Sequence, residues 1–482
     1  MASMPPSAIL AQLRKIVGLD ALLDRPEDLM LYEYDGGVRK CTPAAVVFPQ
    51  ETRQVAQIMK LAGSAGFPIV ARGAGTGLSG GAIAPEGGVV IAFPRMNRIL
   101  EVDAGNMRAV VQPGVVNQQL SDSVAHLGLY FAPDPSSQKA CTIGGNVAEN
   151  SGGPHTLAYG VTVNHVTGLT VVMPSGEILR FGGKAAECTG YDLTGFLVGS
   201  EGTIGIVTEI TVRLLRRPEH IATLLGIFET IDDGAKTVSA ITAAGITPAA
   251  LEMLDGWTLR AVEAACHAGY PLDAGAVLLI ELEGLAEQVE EQAEAVREVC
   301  FQQKAREVRR AKDENERGLL WKGRKNAFAA LGRLAPSYYS QDGVVPRTKI
   351  PAVLQFIEGI SQKYGLRIGN IFHAGDGNLH PLILFDPRDP HQLELVQAAG
   401  AEILERCVEM GGSITGEHGV GLEKRNLMPL LFTDDDLDVM LSLHNAFNAA
   451  AVLNPGKLFP TTRMCRETSG PSTNPVLQAE GM

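Results

Sequence analysis

Apolar positions in the first half of the chain fall into short β-branched runs. AAVVF (44–48), PIVA (68–71), VVIAF (89–93), AVVQP (109–113), LTVVM (169–173) and IVTEITVRLL (206–215) are separated by stretches dense in glycine. Runs of this length and composition predict strands, and the glycines between them predict turns and loops. Residues 7–30 read as helical, within an N-terminal segment of 1–40. A strand-and-loop domain with few long helices is then expected over 41–220. The pattern changes at about 221. A strand-like run, IATLLGIF, leads into a helix-like DDGAKTVSAITAAG. AVLLIELEG (276–284) leads into a long charged helix over roughly 286–311. A strand pair at 366–373 and 378–385 and a helix near 391–410 follow. This βα rhythm predicts a second α+β domain over 221–445, with helices on one face of a sheet. LNPGK (453–457) marks a closing segment, 446–460, and residues 461–482 lack periodicity and read as a disordered tail.

The totals change this picture little. With 482 residues, 45% hydrophobic and 20% charged, two or three domains with a sizeable core are expected. A net charge of -13 argues against a nucleic-acid surface. No apolar stretch approaches the ~18 residues of a membrane helix, and the N-terminus reads as neither anchor nor secretory signal. The seven cysteines are scattered and form no CxxC pair, which fits a reduced cytoplasm and excludes a ferredoxin-type cluster.

Three glycine loops carry candidate chemistry. The first, Arg72-Gly73-Ala74-Gly75-Thr76-Gly77-Leu78, continues to Gly80 and contains GxGxxG. A dinucleotide fold needs a crossover helix after that motif. Here Pro85, Gly87 and Gly88 lead straight into VVIAF, so the loop is read as an anion-binding nest of backbone N–H groups. The second loop runs from Pro133-Asp134-Pro135 through Gly144-Gly145-Asn146 to Asn150 and Gly152-Gly153. The third is GSEGTIGI, with Glu201, Gly202 and Ile206. Glycine allows close backbone approach to a ligand.

RGAGTGLSGGA, PDPSS, TIGGNVAENSGG and GSEGTIGIVTE resemble the flavin-binding domain of the vanillyl-alcohol oxidase superfamily. Within it the chain is most similar to the glycolate oxidase flavin subunit and the D-lactate and D-2-hydroxyglutarate dehydrogenases, over about residues 30–460. The resemblance implies an α+β fold: a two-subdomain FAD-binding domain of the p-cresol methylhydroxylase (PCMH) type plus an α+β substrate, or cap, domain. It also implies FAD on the three loops and on Asn454, with the pyrophosphate at 72–78. Some relatives attach FAD through a histidine in the first loop, but the first histidine here is His126. Others use a cysteine near the second loop, and Cys141 lies there at a different spacing. Non-covalent FAD is therefore expected.

HAGDGNLH places His373 and His380 at the mouth of a hairpin, where centring on 374–378 would set the two imidazoles facing each other ~5 Å apart. Two such imidazoles can share a divalent metal. GEHG adds Glu417 and His418, and adjacent residues on an extended segment point opposite ways, one to ligate and one to face substrate. Nitrogen and oxygen donors suit zinc, iron, cobalt or manganese. The resemblance implies that His373, His380 and Glu417 hold the metal, that His418 is the catalytic base, and that Arg324 binds the substrate carboxylate. Lys322 and Lys325 read as a solvated face. Tyr338, Tyr339 and Asp342 are candidate pocket residues. Hydroxyglutarate-type relatives carry a lysine and an asparagine where this chain has Ser340 and Leu382, which points to a small acid such as glycolate or lactate. A non-catalytic flavin-bearing scaffold subunit is the alternative. Reduced flavin needs an external acceptor. The resemblance suggests iron–sulfur and second flavin-domain subunits, or an electron-transfer flavoprotein, at the inner membrane surface.

Overall fold

A computed structural model describes residues 7–185 and 189–463. Cys188 and most of the expected tail, 464–482, lie outside the described residues, whereas Thr461–Arg463 form a short 3-10 turn. The first subdomain is a four-stranded sheet in the order Leu22–Leu23, Ala45–Val47, Val89–Ala92, Ile69–Arg72. Val89–Ala92 runs parallel to both neighbours. Helix Thr52–Ala65 covers it, burying Val55, Ile58, Met59 and Ala62 at three- and four-residue spacing. Gly66 ends that helix in the left-handed conformation, its N–H bonded to Ala62 O. Sequence patterning missed this helix because small and polar residues dilute its stripe. No helix joins Ile69–Arg72 to Val89–Ala92, so the first glycine loop itself makes the parallel crossover.

The second subdomain is an antiparallel sheet ordered Ile99–Asp103, Arg108–Val111, Ile206–Arg213, Val166–Val172, Ile178–Gly182. Ile206–Arg213 alternates buried and half-exposed positions, with one face on the core.

The remaining domain is built on an eight-stranded sheet. Its central strands, Ala276–Gly284 and Ala250–Asp255, are buried on both faces. Helices cover both faces, not one as expected. Ile231–Ala243, Ala286–Gln302, Ile350–Tyr364 and Pro390–Glu409 pack on Leu224, Leu278, Met253 and Ile383. Gly256–Cys266, Glu314–Lys325 and Ala327–Leu331 pack on Leu225, Leu279, Leu254 and Leu382. The helix expected over 286–311 stops at Gln302, and Glu307–Arg310 adds an edge strand. The segment after Val452 returns to the first subdomain, where Asn454 N–H bonds Ile69 O.

Candidate active site

Strand parity places the site. Side chains two apart share a sheet face, so His373 lies on the face of Ile371, His380 on that of Leu382, and Glu252 on that of Leu254. The hairpin register differs from the expectation: His373 pairs with Asn378 and His380 with Ile371. The two histidines are therefore diagonal neighbours on one face. Their ring centroids are 5.1 Å apart.

Glu417 Oε1 lies 3.1 Å from Nε2 of both His373 and His380. Ligand atoms ~2.1 Å from a common ion stand roughly 3 Å apart, so the three side chains fit a divalent cation. Burial opposes ionisation of Glu417, but His373 and His380 outweigh it and hold its carboxyl well below the usual range. Glu252, fully buried, reaches His373 Nδ1 at 2.8 and 3.0 Å and pairs with Arg324. A carboxylate on the distal nitrogen fixes the ring's orientation and leaves Nε2 free to ligate. Sequence patterning missed Glu252. Its signal was an acid in the middle of the apolar strand ALEMLD, a position that burial makes costly without a partner.

His418 stacks on His380, with centroids 4.9 Å apart and planes at 13°. Residues 416–418 form bends, not an extended strand, and both Glu417 and His418 line the cavity. Burial pushes the His418 imidazolium down to about 4, against the attraction of Asp342. Asp342 is buried and organises this loop. It accepts from the N–H groups of Gly416 at 3.0 Å and His418 at 2.9 Å, from the Thr415 hydroxyl at 2.6 Å and from Lys424 Nζ at 3.0 Å. Asp342, His380 and His418 also bring ligand atoms within 4.8 Å of one another, a second set sharing His380.

Arg324 is 1% exposed and does not line the cavity. One nitrogen engages Glu252, while Nε and Nη1 are buried without a hydrogen-bond partner. Lys325 lines the cavity and bonds Asp134 Oδ2 at 3.3 Å, a correction to its solvated-face expectation. Lys322 is exposed. Tyr338 lines the cavity, and Tyr339 instead donates its hydroxyl to Glu423 at 3.1 Å.

The cavity, about 590 Å³, joins this cluster to the glycine loops. Its lining includes Arg72 to Leu78, Pro135, Gly144, Gly145, Asn146, Glu201 and Gly202 from the glycine loops, together with Phe328, His380, Glu417 and His418. That volume suits a cofactor-sized ligand. Arg72 Nη1 is buried without a partner, an unfilled donor suited to a diphosphate. At Gly144 a Cβ would meet Pro113 Cβ at 2.6 Å, so only glycine lets this turn close. Other expected cofactor residues shape the loops instead. The Pro133 carbonyl accepts from Asn117, and Asn150 Oδ1 accepts from Val163 N–H. Gly152 and Gly153 pack against Glu417 and Asp134. Ile206 starts a buried strand. Asn454 Nδ2 donates to the carbonyls of Gly81 at 3.2 Å and Glu201 at 2.6 Å. Cys141 lines the cavity as a buried thiol whose pKa burial raises.

Residues 43–182 match the FAD binding domain model, and residues 217–458 match that of the FAD linked oxidases, C-terminal domain. The glycolate oxidase subunit GlcD of Escherichia coli (strain K12) is 46% identical over 96% of this chain and 92% of its own. GlcD of Bacillus subtilis (strain 168) is 44% identical over 93% and 96%. A D-lactate dehydrogenase of Anaerostipes hadrus is 32% identical over 87% and 90%. Among solved structures, p-cresol methylhydroxylase with substrate bound superposes with a TM-score of 0.83 at 18% identity, covering 95% of this chain and 98% of that one. The chain belongs to the FAD-linked oxidases, in the group that holds the glycolate oxidase subunit GlcD and the D-lactate dehydrogenases. Among the described residues, no helix is long and apolar enough to cross a membrane.

Proposed function

We propose that this chain oxidises a small D-2-hydroxy acid, glycolate or D-lactate, to the 2-oxo acid. The observation that carries this reading is the opening of His380, Glu417 and His418 onto the cavity walled by the flavin loops. The names of the relatives support the substrate class. Bound FAD, held non-covalently, supplies a hydride acceptor at N5. A divalent cation (Zn, Mn, Fe or Co) on His373, His380 and Glu417 supplies Lewis acidity. His418, neutral at pH 7, takes the substrate hydroxyl proton. The resemblance assigns Arg324 to the substrate carboxylate, and its unpartnered guanidinium edge suits one, although Arg324 pairs with Glu252 and lies behind the cavity lining. Phe328 and Tyr338 wall the cavity beside His380, and Ser340 pairs with buried Leu382, so no cation stands at either position for a second carboxylate.

Electrons leave to an external acceptor, either iron–sulfur and second flavin-domain subunits or an electron-transfer flavoprotein. We place the chain in the cytoplasm, at the inner membrane through those partners. An anaerobic screen of the holoprotein with glycolate, D-lactate, L-lactate and D-2-hydroxyglutarate is the test. Bleaching of the flavin by glycolate or D-lactate is expected. A flavin that none of the four reduces would leave the scaffold role in its place.

A further inference from the structure

Glu149 takes no part in the chemistry above, and Glu201 enters it only as a member of the third glycine loop; both line the cavity. Glu201 has a φ of 51°, a left-handed conformation uncommon for a residue with a side chain. Its N–H donates to Ala148 O at 2.8 Å, and its carbonyl accepts from Asn454 Nδ2 at 2.6 Å. Its carboxylate reaches the segment just after His418, accepting Val420 N–H at 2.6 Å and Gly421 N–H at 2.7 Å. One buried residue thus joins the second glycine loop's helix, the third glycine loop, the His418 loop and the C-terminal segment. Strain held in this way marks a site that the surrounding structure over-determines.

Gly419 abuts the same point. Its φ is +81°, and a Cβ there would lie 2.9 Å from Glu201 Oε1 and nearer still to Glu149 Oε2. The missing side chain lets two carboxyl groups close on the loop. Glu149 Oε2 is buried and has no hydrogen-bond partner, a costly state for an anion. Two buried carboxyls facing one point do not both ionise. Burial first, then Glu201 and Asp35, push Glu149 well above the usual carboxylate range. Burial raises Glu201 too, but the Val420 and Gly421 N–H groups oppose that shift. The facing charges are Asp35, Lys424 and Lys457. Both ammonium groups are bonded elsewhere: Lys424 to Asp342, and Lys457 to Ile83 O at 2.7 Å and Asn454 Oδ1 at 2.9 Å.

We propose that Glu201, backed by Glu149, is the positioning residue for the loop that carries His418, tying that loop to the flavin loops. Glu201 is the anion that grips two amides. Glu149 is the neutral acid that keeps a second charge out of the wall. The inference rests on His418 as base only for its effect on turnover.

In FAD-loaded protein, Glu201→Gln leaves one acceptor oxygen for two amides. Expected, at saturating FAD, are faster hydrogen exchange of the 419–421 amides and kcat lower by about 10²-fold with KM little changed, the scale of a displaced catalytic group. Glu149→Gln preserves shape and neutrality, so it keeps wild-type exchange while the infrared spectrum loses the carbonyl band of one protonated carboxyl. A folded Glu201→Gln protein with wild-type exchange at 419–421 overturns the proposal. A Glu149→Gln protein whose protonated-carboxyl band is undiminished does the same, and this variant decides the matter should Glu201→Gln not fold. If no hydroxy acid reduces the flavin, the substrate reading fails while the exchange and infrared results still stand.

Discussion

Glu252 holds His373 Nδ1 at 2.8 Å while His373 Nε2 stands 3.1 Å from Glu417. The carboxylate enters from the neighbouring strand, where Glu252 is the register partner of His373. It sets the ring's orientation before any ion arrives. Glu252→Gln is therefore expected to weaken metal binding by about 10–100-fold, the usual effect of losing such an outer partner. Competition with a chromophoric chelator measures it, and unaltered affinity would exclude the role.

His418→Ala is expected to lower the rate of flavin reduction by about 10²–10⁴-fold, the range for loss of a general base. FAD and metal contents should not change, because His418 lies outside the glycine loops and the proposed His373–His380–Glu417 set; metal lost in this variant would point to the Asp342–His380–His418 set instead. Stopped-flow flavin absorbance under anaerobic conditions reads the rate. Full speed in the variant would remove His418 from the mechanism.

Chelator treatment should leave the flavin spectrum intact and slow reduction by glycolate or D-lactate, and added divalent metal should restore it. His380 and Glu417 line the same cavity as the flavin loops but share no residue with them, so loss of one ligand need not expel the other. Elemental analysis of the active protein checks the premise; active protein free of metal would refute it.

Acid denaturation should release all of the flavin into the supernatant. Cys141 is the one thiol lining the cavity among the described residues, and burial keeps it protonated and weakly nucleophilic. Yellow colour remaining with the precipitate would show a covalent link.

His155 bridges Asp134 at 3.0 Å and Glu281 at 3.2 Å, and stacks on Trp321 with centroids 5.4 Å apart. Burial disfavours its imidazolium, but Asp134 and Glu281 outweigh that and raise its pKa to about 10. A raised folded-state pKa stabilises the fold fully below the unfolded value of ~6.5, and that contribution is lost as pH rises to about 10. Thermal denaturation should therefore show wild-type Tm falling across this window more steeply than that of His155→Gln. Parallel curves would contradict the bridge.

The short β-branched runs made most strands legible, because a strand's side-chain period shows in composition over a few residues. Glycine loops and the HAGDGNLH and GEHG segments were legible as chemistry for the same local reason. Helix Thr52–Ala65 was not, since alanine, glycine and serine blur its apolar stripe. Nor was the pairing of His373 with Asn378, because a turn's length does not announce its register.

Local pattern thus determined the element types, the glycine loops whose motifs resemble flavin-binding ones, and the residue types of the histidine–carboxylate cluster. Tertiary structure alone decided that Glu252 orients His373, that Asp342 and Glu201 hold the His418 loop, and that Lys325 turns into the cavity behind which Arg324 lies. Those partners stand between 73 and 220 residues apart in the chain where hydrogen bonds record them. A buried charge finds its counter-charge through space, and nothing in the neighbouring residues encodes which distant one it will be.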